Sequence, residues 1–158
     1  MSTVTQVASN NNSQATNFDT SKFLLGNNSF IDANITAGSS AVIALLEGEV
    51  MGRIASTQKL TPCVPTATDG SQIPVGICVS GKTVAKSATE SIRLVNKGEI
   101  AEAKINFSTS VTLDSLVVIL DGESTPAANN NSRSIRDYLN DLGLVLQGGD
   151  ELTGYDNA

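Results

Sequence analysis

The chain has 158 residues, a length suited to one domain whose folding removes roughly 70% of its unfolded surface from water. Its 10 basic and 16 acidic residues give a net charge of -6, and with no local Lys/Arg cluster to offset it this balance argues against a nucleic-acid partner. No run approaches the ~20 apolar residues of a membrane helix, and the absence of any His removes the commonest general base and metal ligand.

Residues 1–30 are dominated by Asn, Ser, Thr and Gln, with Asp19 and Lys22 as charges. Such a segment buries too little apolar surface to offset its ordering entropy, so a mobile N-terminal arm is expected over 1–30. Val4, Val7 and Phe18 punctuate it, and laying these across a partner would order it. The stretch from Phe23 to Phe30 fits either that role or packing on the chain's own domain. The N-terminus lacks the basic-then-apolar order of a secretory signal, so synthesis in the cytoplasm is expected.

From Ile31 onward short apolar runs alternate with turn residues, the pattern of a β-rich domain over 31–147. Aromatics make up only 4% and Trp is absent, so branched aliphatic side chains must build the core. Residues 41–46, 50–55 and 59–64 read as strands, with Glu47-Gly48 turning the first pair. Thr68-Asp69-Gly70-Ser71 supplies a tight turn. Then Ile73, Val75, Ile77 and Val79 alternate with smaller residues, which predicts a strand carrying all four on one face. Residues 91–96, 99–107 and 115–120 read as further strands, with Lys97-Gly98 reversing the chain between the first two. The expected class is mainly β: a small antiparallel barrel or sandwich-like body with one or two short helices.

Residues 125–132, with three consecutive Asn, read as a surface loop. After them Ile135, Tyr138, Leu139 and Leu142 fall at helical spacing, with Ser134 as N-cap, Asp137 three residues on and Gly143 as the stop. A final strand over 144–146 and an acidic tail over 148–158 complete the pattern. Cys63 and Cys78 are too few for a disulfide framework and lack metal-ligand spacing, so they read as small buried hydrophobes.

One string points to catalysis. Gly76-Ile77-Cys78-Val79-Ser80-Gly81-Lys82-Thr83 fits the phosphate-cradling pattern G-x-x-x-x-G-K-[ST], in which loop N–H groups and the Lys hold phosphates and the Thr holds magnesium. That chemistry needs the loop to follow a buried parallel strand and open a helix. Here Ile77 and Val79 continue an alternation, and residues 84–90 have no apolar stripe. Gly76, Gly81, Lys82 and Thr83 therefore read as a chance match, leaving nucleotide binding a remote alternative. No nucleophile elbow is present either. The sequence assigns no catalytic residue, metal site or cofactor.

The succession NITAGSSAVIALLEGEVMGRI at 34–54, KLTPC at 59–63, ATDGS at 67–71, IPVGICV at 73–79 and VNKGEI at 95–100 resembles the lambda-like head decoration proteins of tailed bacteriophages. The resemblance covers roughly residues 31–120, and residues 135–145 are similar to the C-terminal part of longer members. It implies a small, mainly β, non-enzymatic protein that binds as a trimer at threefold and quasi-threefold sites on the outside of an expanded head. It further implies an arm that orders by adding a strand to the major capsid protein, the homotrimer and that protein being the partners. The arm's composition suits this role, with Val4, Thr5, Gln6, Val7 and Phe18 as candidate capsid-binding residues. The rivals are a display or adhesion module on the virion surface and another trimeric phage component. Scattered aromatics disfavour a glycan-stacking site.

Overall fold

The computed structural model describes residues 23–108, 110–118 and 133–148. Its strands are β1 (Ser29–Thr36), β2 (Ile43–Leu45), β3 (Val50–Arg53), β4 (Leu60–Pro62), β5 (Pro74–Cys78), β6 (Lys82–Val84), β7 (Thr89–Ala101) and β8 (Leu144–Gln147). A 3-10 turn (Glu102–Lys104) follows β7, and the helix α1 (Ile135–Leu142) precedes β8. The mainly β expectation holds.

Strands β1, β4, β3, β5 and β7 are joined edge to edge in that order, and β7 pairs back onto β1 to close a five-stranded barrel. A closed ring with an odd number of strands cannot alternate direction at every joint. The four antiparallel joints are therefore accompanied by one parallel joint, between β1 and β4, where Ile35 pairs with Leu60. β8 extends the sheet beyond the ring by pairing in parallel with β7; a parallel neighbour needs a crossover connection, and the chain between β7 and β8 supplies one through α1.

Alternation along the strands sorts the apolar residues into two cores. Ile35, Met51, Leu60, Cys78, Ile92 and Leu94 come one or two from each barrel strand and are buried together, so this cluster fills the barrel. Leu45 of β2 and Val84 of β6 join it, which makes the two-stranded β2–β6 sheet the cap of the barrel. The second cluster takes the opposite face of β3, β5 and β7 through Val50, Ile77 and Val95, and covers it with Ile135 and Leu139 of α1 and Leu144 of β8. Burying each such side chain contributes roughly 1.5–3 kcal/mol, so α1 and β8 are held mainly by this outer layer.

The helix forms as its sequence dictates. Ser134 accepts from the Asp137 N–H through its hydroxyl at 3.3 Å, and the Asp137 carboxylate accepts from the Ser134 N–H at 2.9 Å, a reciprocal cap. Gly143, at φ 91°, terminates it in the left-handed region.

Four expectations are corrected. The first is the face of β5: Ile77 lies in the outer core while Val75 packs against the barrel interior, and Ile73 is exposed. Met51 pairs with Gly76 and Gly52 with Pro74, so Val75 is an extra residue in the ladder, and this bulge exchanges the two faces. The second is the Lys97-Gly98 reversal together with the separate strand over 99–107, for β7 runs unbroken from Thr89 to Ala101 and gives way to the 3-10 turn at Glu102–Lys104. Gly98 has φ 127° and lets the strand bend where it leaves β1 and takes β8 as partner. The third is the strand over 115–120: in its described part only an isolated bridge, Leu116 to Ser134, forms. The fourth is β1 itself, a strand for which no separate run is expected; it makes the longest ladder in the fold, eight paired positions with β7. The expected loop at 125–132 and the acidic tail beyond Gly148 lie outside the described residues.

Candidate interaction surfaces

Val4, Thr5, Gln6, Val7 and Phe18 lie outside the described residues, which begin at Phe23. Phe23 is buried in the outer core, so of its two readings packing on the chain's own domain is the one realised. The Ala101 N–H donates to the Phe23 carbonyl and the Leu25 N–H to the Glu99 carbonyl, each at 3.0 Å. Leu24 bridges Ile100 in the antiparallel sense, so the chain traced back from Leu24 runs toward the C-terminal end of β7. On the other side of β7, parallel β8 ends with Gln147 opposite Ala101. Residues 1–22 and the segment after Gly148 therefore both attach at the end of the body marked by Ala101.

The segment matching the phosphate-binding pattern has a different geometry from a phosphate loop. Gly76 lies within β5, where a Cβ would sit 3.0 Å from the Val95 carbonyl oxygen, so its role is close strand approach. Lys82 and Thr83 are in β6, paired with Leu45 and Ala44, and the chain continues into a turn in which the Ala88 N–H donates to Ala85. No helix follows the Lys-Thr pair. The Lys82 ammonium is 2.9 Å from the Glu90 carboxylate and donates to the Ser91 carbonyl at 3.1 Å.

Beside Lys82 an open groove is lined by Asp32, Ser80, Ser91 and Arg93 with Val79 and Ile92. Arg93 donates to both Asp32 carboxylate oxygens, at 2.8 and 3.1 Å, across the β1–β7 ladder. That bond holds the Asp32 carboxyl below its ordinary value. Both cations of the groove are thus engaged by carboxylates, which leaves a neutralised polar surface.

Burial pushes the Cys63 thiol up to about 12 and raises Cys78 as well, so neither is a thiolate nucleophile near neutral pH. Among the described residues no three His, Cys, Asp or Glu side chains converge to hold a metal. No helix there is long and apolar enough to cross a membrane.

What the body offers instead is surface for pairing and packing. β8 is the end strand of its sheet, with β7 as its neighbour, and Val145 on it is 52% exposed. Val42 and Leu46, which flank β2, and Phe30 on β1 are also exposed. These residues are spread over separate elements, as singly exposed apolar side chains ordinarily are.

Comparison with known families gives a match to the model described as bacteriophage lambda head decoration protein D, over residues 14–116. That span takes in all of the barrel strands and the capping β2–β6 sheet. Among curated proteins no relative matches the chain.

Proposed function

Because this chain belongs to the bacteriophage lambda head decoration protein D family, whose role is decoration of the phage capsid, we propose that it binds the outside of the expanded head as a homotrimer and cements it. The partner is the major capsid protein, and the sites are the threefold and quasi-threefold positions of the shell. The observation that carries this reading is the family match, which spans the whole barrel and extends back to residue 14, into the arm.

Cementing follows from linkage. Packaged DNA pushes capsomers apart, and a trimer that straddles their junction must be released before they separate; a ligand that binds only the assembled shell stabilises it. Each arm adds a strand to a capsid subunit through backbone hydrogen bonds, with Val4 and Val7 as anchors on opposite sides. One such strand holds weakly, but three arms on one trimer act at high effective concentration and gain roughly 10²–10⁴ in avidity. The attachment of the arm beside Ala101, at the same end as the C-terminal segment, supports a single shell-facing end of the body.

The experiment is deletion of residues 1–20. Phe23 and its bonds to β7 are retained, so the truncated protein keeps the body's cooperative unfolding. It should no longer protect expanded heads against chelator or heat; undiminished protection would refute the arm's role.

A further inference from the structure

Among the described residues Glu49 is the acidic side chain that the fold buries completely, at 0% exposure. It stands in the turn between β2 and β3, where several segments are knotted by their backbones. The Gly48 N–H donates to the Cys78 carbonyl and the Cys78 N–H to the Glu49 carbonyl, both at 2.8 Å. The Asn106 N–H donates to Gly48 at 2.8 Å and the Val50 N–H to Asn106 at 3.2 Å. Into this knot the Glu49 side chain brings one satisfied oxygen and one orphan: Oε2 accepts from the Leu46 N–H at 2.9 Å, while Oε1 has no partner.

A buried carboxylate with an unpaired oxygen is costly in its charged form and much less so when protonated. The groups around it compensate only in part, through the Leu46 and Ser108 amides. From β5 it faces the Cys78 thiol, whose own pKa its charge raises. On its own turn Glu47 is exposed, and Lys104, in the 3-10 turn packed against Gly48, is exposed too. The direction for Glu49 is accordingly upward from its ordinary 4.5, desolvation being the largest cause and the Leu46 and Ser108 amides opposing it.

Leu46 directly follows Leu45, the residue that β2 delivers into the barrel. The Leu46–Glu49 bond therefore ties the capping sheet to the knot. We propose that Glu49 is a proton-operated latch on the cap of the barrel. With the carboxyl neutral, the turn stays docked against β5 and Asn106 and the β2–β6 sheet stays seated. When the proton leaves to solvent, the carboxylate gains by reaching water, which undocks the turn and loosens the cap. The closed state holds the proton more tightly than the open one, so closure is complete at low pH. It weakens by up to roughly tenfold per pH unit above the open-state value and levels off once the closed-state pKa is passed.

The test uses the full chain. Amide-exchange protection at Leu46, Cys78, Val84 and Asn106, corrected for intrinsic exchange, should fall with rising pH in the unmodified protein. Glu49→Gln should abolish that fall, while Glu47→Gln, an exposed neighbour, should keep it. A carbon-13 titration of the Glu49 carboxyl in the unmodified chain should give a midpoint above 4.5 and decides the matter alone if Glu49→Gln does not fold. A Glu49 midpoint at or below that of an ordinary Glu, or the same pH profile with Glu49→Gln, would overturn the proposal.

Discussion

Arg136 on α1 grips Glu102 with both ends of its guanidinium: Nη1 donates to Oε2 and Nη2 to Oε1, each at 2.7 Å, while Nε donates to Asp114 at 3.1 Å. One side chain thus joins the helix, the 3-10 turn that ends β7 and the turn around Asp114. Its fork geometry is what a lysine lacks.

Arg136→Lys should therefore cost about as much as removing Glu102, on the order of 1–2 kcal/mol at neutral pH, since charge alone does not restore paired bonds at a partly buried site. Urea unfolding of both variants and the double variant measures this through the coupling. The hydrogen bond from Arg136 lowers the Glu102 pKa, so its contribution is present above the unfolded-state value and is lost as pH falls through the folded one. Stability of the native chain relative to Glu102→Gln should shrink below about pH 4.

At Gly98 the strand is both in the left-handed φ region and in contact with a neighbour. An added Cβ would run into the Asn28 side-chain oxygen and sit 2.7 Å from the Asn27 carbonyl oxygen. Gly98→Ala should destabilise by on the order of 2 kcal/mol or more, visible as a lowered thermal midpoint. A change within 0.5 kcal/mol would mean that β7 does not need the bend.

How far this fold is legible in its sequence differs from element to element. The helix is spelled out by Ser134, Asp137 and Gly143 because capping is local chemistry. β1 is also written there, since Ile31, Ala33 and Ile35 alternate with Phe30, Asp32 and Asn34, but the outward Asp and Asn dilute the apolar run by which strands are recognised. Lys97-Gly98 has the letters of a reversal; whether a glycine turns a strand or bends it depends on which strands lie alongside, and that is tertiary. The same is true of the parallel β1–β4 joint, which follows from the count of strands in the ring, and of the bulge at Val75. The phosphate-loop letters are legible but carry no strand geometry. Glu49 looks like any solvated turn acid until its burial is known. Residues Val4 to Phe18 can be weighed by composition alone.

The two thiols should be inert in the native protein. Burial holds Cys63 at about 12 and its sulfur donates to the Gln72 carbonyl at 3.4 Å. An aromatic disulfide reagent at pH 8 should modify neither residue until denaturant exposes both, as read by mass; stoichiometric native labelling would contradict the packing of the two cores.

Lys82→Ala removes a half-exposed ion pair with Glu90, so it should cost no more than about 0.5–1 kcal/mol. ATP with magnesium should leave the thermal midpoint of both the native and the variant protein unchanged. Saturable stabilisation that Lys82→Ala abolishes would restore a nucleotide site to this segment.

The most direct measurement is imaging of expanded heads lacking decoration, before and after addition of the purified protein. Protrusions of threefold symmetry are expected on the outer surface at the threefold and quasi-threefold positions. Bare heads at saturating protein, or density confined to the tail, would contradict it.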